Sequence, residues 1–347
     1  MQLTKRVLAK LKAPYALGVI RVDGAPCVVS STEDYGPVLF AAPPYNEAAE
    51  IAPGPGGCMA LVAGPGQPEE LYAIMGCFPG YKFQNAAVYR LGREDGRWVS
   101  AKIIGLPFAH RIDFVIRART RYLVAASLAA DKSEPSDWSK SGGVYASPVQ
   151  SPSDTGWSLS PVLEGIHRNH GFLATGFQGR KSLLISGTEG LFAADLGRED
   201  ASWGFTRIVD KEVSEIAVSD VDSDGEEELV TIEPFHGDSL RVYKRVEENW
   251  EVAWEGELSF GHGLLTGTLG GAPTILVSNR AGTRDLLAFQ FPRGARQRGV
   301  RLGQPSKIIV DSGVGAANIL ILRRGGEELV FSTNQSTDEI AAYSATP

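Results

Sequence analysis

Apolar residues along this 347-residue chain gather in short runs separated by turn residues, with no sustained helical stripe. One run, usually ending in a small polar residue, recurs as PCVVSS from Pro26, ELYAIMG from Glu70, YLVAAS from Tyr122, SLLISG from Ser182, ELVTIE from Glu228, TILVSN from Thr274 and ELVFST from Glu328. The spacing is roughly 45 to 60 residues, as in blade-type repeats. An apolar segment precedes each run (ALGVIRV, MALVAG, IDFVIRA and their counterparts), and a strand ending near an aromatic follows it (VLFAAP, AAVYRLG, GVYASP). Tryptophan-bearing segments such as RWVSAKI and NWEVAWE read as outer strands.

Each unit is therefore an up-and-down, four-stranded antiparallel sheet. About seven such units predict an all-β, seven-bladed β-propeller, in which radial packing leaves only short, protected edges. The whole chain, 1–347, reads as a single propeller domain. Its last unit has three strands, whereas LTKRVLAKL near the start has no repeat of its own. That N-terminal segment is expected to close the last blade as its outer strand; a short amphipathic helix is the rival reading.

Composition fits this picture. With 43% hydrophobic and 22% charged residues the chain can bury a large core, and forty glycines and twenty prolines supply the turns. A net charge of −7 and no basic stretch interleaved with aromatics argue against a nucleic-acid partner. No apolar run approaches the roughly 18 residues that span a bilayer, so no membrane association is predicted. Three cysteines without CxxC spacing suit a reducing cytoplasm.

The five histidines carry the candidate chemistry: His110, His167, His170, His236 and His262. Two segments are near copies, His170-Gly-Phe-Leu-Ala-Thr-Gly and His262-Gly-Leu-Leu-Thr-Gly. On the repeat, His110, His170 and His262 precede the first strand of the third, fourth and sixth units, and His236 follows the second strand of the fifth. Antiparallel alternation puts these four on one face, around the channel mouth. Imidazole is a common zinc ligand and a base near neutral pH, so ligand and acid–base roles compete with that of turn histidines bonded to carbonyls. Glu189, Asp238 and Asp34 are expected on the same rim, with Trp138 of the long third-unit loop as a stacking platform.

A second signal lies on the opposite face. Asp220, Asp222, Asp224 and Glu228 alternate around Gly225 between the first and second strands of the fifth unit. Such spacing suits a structural calcium or magnesium ion, although the last ligand of an EF-hand comes later; a solvated acidic turn is the plainer alternative.

The D-x-D-x-D-G turn followed by EELV resembles FG-GAP/VCBS propeller repeats. HRNHGFLATGFQGRKSLLISGTEGLF and ELVTIEPFHGDSLRVYK resemble the propeller domain of the aldos-2-ulose dehydratase/isomerase family, also known as 1,5-anhydro-D-fructose dehydratase. The resemblance implies Zn2+ held by His170, His236 and His262, polarising the ketone of a bound keto-sugar or keto-glycoside. His110, or else His167, would then act as the acid–base catalyst of a β-elimination. Glu189, Asp238 and Trp138 would contact the sugar. This expectation is a cytoplasmic carbon–oxygen hydro-lyase; the isomerase step attributed to the family's cupin part is not carried over. A non-catalytic carbohydrate- or partner-binding propeller, or a metal-dependent sugar isomerase or epimerase, stands as the alternative. Neither the sugar, the leaving group nor an oligomeric state is specified.

Overall fold

The computed structural model describes residues 3–66, 69–149, 157–199, 202–293 and 300–345. Seven four-stranded antiparallel sheets stand around a central channel. Their innermost strands are Pro14–Val22, Ala60–Ala63, Ala109–Arg117, Phe172–Phe177, Glu215–Ser219, Gly261–Leu269 and Ala316–Arg324, in blades one to seven. Neighbouring inner strands touch around the full circle, including blade seven against blade one. The architecture is the expected seven-bladed propeller.

The second strands explain why the repeat was readable. Glu70–Met75 and Glu228–Glu233 are buried at every position. Each blade is covered on both faces by its neighbours, so both side-chain rows of a central strand must be shielded: the run is largely apolar, and its buried carboxylates Glu70, Glu228 and Glu233 are paired with Arg90, Lys244 and Arg241. The core is correspondingly divided into seven clusters, one at each junction between blades.

Blade seven joins the two ends of the chain. Strand Leu3–Lys10 pairs antiparallel with Glu339–Ala345, Lys5 opposite Tyr343. The N-terminal segment is thus a strand, not an amphipathic helix. Leu8 is its inward anchor, buried at the junction of blades seven and one. Lys5 Nζ adds ion pairs to Asp311 of blade six at 2.9 Å and to Glu339 at 2.8 Å. Among the described residues, no helix is long and apolar enough to cross a membrane.

Candidate functional site

Local irregularities at the mouth end of the inner strands build the site. Blades one, three, six and seven each slip register there, between Pro14 and Ala16, Ala109 and Arg111, Gly261 and Leu264, and Ala316 and Ile319. A bulge re-aims the extra residue. The residues skipped include Tyr15, His110, His262 and Ala317, and these meet in the channel. Tyr15 Oη lies 3.1 Å from His110 Nε2 and 3.3 Å from His262 Nε2. His262 Nδ1–H donates to the Ala317 carbonyl at 2.7 Å.

His170 arrives from the loop before blade four's inner strand, and His236 from the turn after blade five's second strand, with φ of 49°. His170, His236 and His262 are each followed by glycine. At Gly171 a Cβ would collide with Ser186 Oγ and lie 2.9 Å from the Ser214 carbonyl, so the missing side chain lets the His170 backbone reach blade five. Ser214 serves the site twice. Its Oγ accepts the His236 amide at 3.1 Å, and its carbonyl lies 3.3 Å from His170 Nδ1.

His170, His236 and His262 can each turn one nitrogen toward a common point, all within 4.8 Å of one another. Their partners suit metal binding. His170 Nδ1 faces Glu215 Oε1 at 2.7 Å and His262 Nδ1 is held by Ala317, leaving both Nε2 lone pairs toward the channel. Such outer-shell anchoring fixes the ligating tautomer. His170 Nε2 and His236 Nε2 are 3.3 Å apart, matching two ligands at about 2.05 Å from a tetrahedral ion, which stand about 3.3 Å apart. Glu215 also receives Arg111 Nη2 at 2.5 Å, so one buried carboxylate ties blades three, four and five.

Burial, then the Arg111 charge and neighbouring imidazoles, holds His110 well below the ordinary imidazole pKa. His236 and His262 are also pushed well down, by burial first, and His170 is lowered by burial against the opposing pull of Glu215. All four are therefore neutral donors at physiological pH. Burial lifts the Tyr15 hydroxyl to about 12, so it too stays protonated.

Above the histidines opens a cavity of about 360 Å³ walled mainly by aromatic side chains, including Phe78, Tyr81, Phe235 and Phe260, with Arg280 and Glu33 as its charged members. The loop at 130–140 leans on this wall. Trp138 packs on Tyr81 and Phe235, with ring centroids 5.4 and 5.2 Å away. Asp137 pins the loop by accepting hydrogen bonds from Ser139 and Ser133.

The structure thus brings His110, His170, His236 and His262 together as expected and puts Trp138 beside the rim. His167 and Glu189 pair with each other instead, Nδ1 to Oε1 at 2.6 Å, and do not line the cavity. Asp238 and Asp34 are outside its lining as well; Asp34 faces Lys12 at 2.5 Å. Sequence reasoning missed Tyr15, Arg111, Glu215, Glu33 and Arg280. The one readable hint was aromatic: Phe235 and Phe260 stand next to or near a histidine in the sequence.

On the opposite face Asp220, Asp222 and Asp224 do converge. A cation of the chain itself stands among them. Lys244 Nζ lies 2.9 Å from Asp222, 2.5 Å from Asp224 and 3.1 Å from Glu228. Asp220 accepts the amides of Asp224 and Gly225, each at 3.0 Å. Burial raises the Glu228 carboxyl to about 7 despite these partners.

No protein-family model matches the chain, and no curated protein sequence does. Solved structures match over its whole length. The β-propeller domain of Cps50 (Swd1) from Myceliophteria thermophila superposes with a TM-score of 0.62 at 12% identity, covering 99% of this chain and 100% of that one. Sqt1 from Saccharomyces cerevisiae gives 0.54 at 9% identity, covering 100% and 99%. At such identity the likeness establishes the fold.

These comparisons correct the enzymatic expectation. Neither neighbour is described as an enzyme, and nothing links the chain to aldos-2-ulose dehydratase or to FG-GAP repeats. The roles of lyase, of hydro-lyase acting on a keto-sugar, and of a keto-sugar partner therefore fall. The physical reason lies in the acid–base assignment. A catalyst that takes and returns a proton works best with a pKa near the operating pH, whereas burial keeps His110 neutral and weakly basic. His167, the second choice, is engaged by Glu189 away from the cavity.

Proposed function

We propose that this chain is a non-catalytic binding propeller whose histidine- and aromatic-lined mouth docks a protein partner. The observation that carries the reading is the cavity itself, a preformed concavity of about 360 Å³ in which partly exposed rings surround a few polar groups. Phe260 is 42% exposed inside it. Tyr35, 73% exposed, stacks on Phe78 at 4.1 Å. Aromatic side chains bury large areas at little entropic cost and dominate contact energies at interfaces.

His170, His236 and His262 would hold a divalent transition-metal ion on the floor of this mouth, zinc being the choice suggested by an all-imidazole set. Its contribution is structural: it would tie blades four, five and six at the point where they receive the partner.

Selection of random peptides on the purified chain tests this function. Peptides retained by the wild type and lost from both Phe260→Ser and Phe235→Ser, with unchanged melting of the variants, support it. Peptides that bind the variants as well as the wild type, or a failure to retain any, overturn it.

A further inference from the structure

The chain is acidic overall, with a net charge of −7, yet its mouth carries cations without carboxylate partners. Arg280 follows blade six's second strand, Ala272–Asn279, and lines the cavity. Among the described residues its guanidinium has no ion pair or hydrogen bond; it lies 6.0 Å from the centroid of the Phe260 ring. Lys132, from the loop at 130–140, is buried with no hydrogen-bond partner for Nζ among the described residues. Its ammonium stands 3.2 Å from the Trp138 ring centroid and 4.0 Å from that of Tyr81. The other two arginines nearby are already committed, Arg168 to Glu212 at 2.8 Å and Arg111 to Glu215.

Among the described residues Glu33 is the one carboxylate of the cavity wall. Burial raises its pKa while Arg280 opposes the rise, so the two sit in each other's field without forming an ion pair. A single carboxylate would be balanced by Arg280 alone, and the planar guanidinium can bind it with two parallel hydrogen bonds. The rings on either side favour an apolar neighbour next to that carboxylate.

We infer that the mouth takes a peptide segment in which an Asp or Glu side chain stands beside an aromatic or aliphatic residue, Arg280 gripping the carboxylate while Phe235 and Phe260 hold its neighbour. This inference rests on the binding-propeller reading above. It assigns Arg280 the selectivity and the aromatic rings the bulk of the contact.

The test is a selection of random dodecapeptides on the full chain, followed by affinity measurements with the best peptide synthesised in two forms, one acidic and one with its Glu or Asp changed to Gln or Asn. Retained sequences are expected to pair an acidic with an apolar residue. On the wild type the amide form should bind about ten- to hundred-fold more weakly, the effect of losing a charge-assisted hydrogen bond. On Arg280→Gln, shown to melt as the wild type does, the two forms should bind alike, and Arg280→Lys should restore part of the difference. Retained peptides that are basic or uncharged, or an amide penalty that persists on Arg280→Gln, would overturn the inference and leave the binding reading standing. Failure to retain any peptide would overturn both.

Discussion

His170 Nε2 and His236 Nε2 face one another at 3.3 Å across the boundary between blades four and five. Two neutral imidazoles cannot both present lone pairs at that distance without something between them, a proton or a metal ion. With His262 in reach and the Nδ1 atoms of His170 and His262 held from behind, a metal ion satisfies all three. The protein purified without chelators is predicted to contain about one equivalent of zinc by elemental analysis, and His262→Ala should lose most of it, since an outer- or inner-shell loss costs at least 10- to 100-fold in affinity. Replacing the metal with cobalt should give the visible absorption of a tetrahedral site. Stoichiometric metal retained in the His170→Ala/His236→Ala/His262→Ala triple variant would show that it binds elsewhere.

Acidification should destabilise the metal-free chain. His110, His236 and His262 are held well below the ordinary imidazole value of 6.5 in the folded state, and His170 is lowered too. In the unfolded chain they titrate near 6.5, so below that pH the unfolded state binds more protons. Their contribution is fully present above about pH 6.5 and is lost as the pH falls toward their depressed folded values. Melting in the presence of a chelator is expected to show a midpoint flat from pH 8 to 7 that drops steadily below about 6.5. A His110→Gln variant should show a shallower drop. A midpoint that rises on acidification through this window would contradict the neutral assignment.

Lys244 acts as an internal counter-ion for the acidic turn. Its side chain is 14% exposed, and its ammonium contacts Asp222, Asp224 and Glu228. Lys244→Met should cost about 3 kcal/mol in a urea melt, because removing one partner strands buried charge. Millimolar calcium should recover more stability in this variant than it adds to the wild type. Equal calcium effects on the two proteins would show that Lys244 does not occupy the cation position.

The ring is closed by packing as well as by pairing. Leu8 is 4% exposed and meets Phe331, Ile340 and blade one's Val28 in a shared core. Leu8→Ala is expected to cost about 3 kcal/mol, the usual penalty for a buried leucine truncation. The loss should fall hardest on amide-exchange protection in Glu339–Ala345, the strand that would become an edge. Protection lost uniformly from all seven blades would mean the closure is not a separable unit.

The fold was legible because blade geometry imposes a simple burial rule. Runs such as Ser182–Gly187 must be shielded on both faces, and seven of them mark seven blades. The mouth was half legible for the same reason: repeat phase alone brought His110, His170, His236 and His262 to one face. What phase does not encode is lateral contact between blades. Glu215 reaches Arg111 and His170 across 104 and 45 residues of chain, and Lys244 reaches back from the third strand of its blade to the acidic turn. His167 lies only three residues before His170, yet it turns to Glu189 of its own blade region. The lyase reading erred because short histidine-bearing blocks were given a family's chemistry, whereas burial of His110 disfavours the protonated form that an acid–base role requires.

The most direct test of the central claim, that the histidine mouth is a docking site, is to map where a bound peptide lies. A mouth-selected peptide carrying a benzophenone should crosslink to the Phe78–Phe83, Phe235–His236 and Phe260–Arg280 segments, and Phe260→Ser should abolish the products. Crosslinks confined to the outer strands or to the face bearing Asp220, and undiminished in Phe260→Ser, would contradict it.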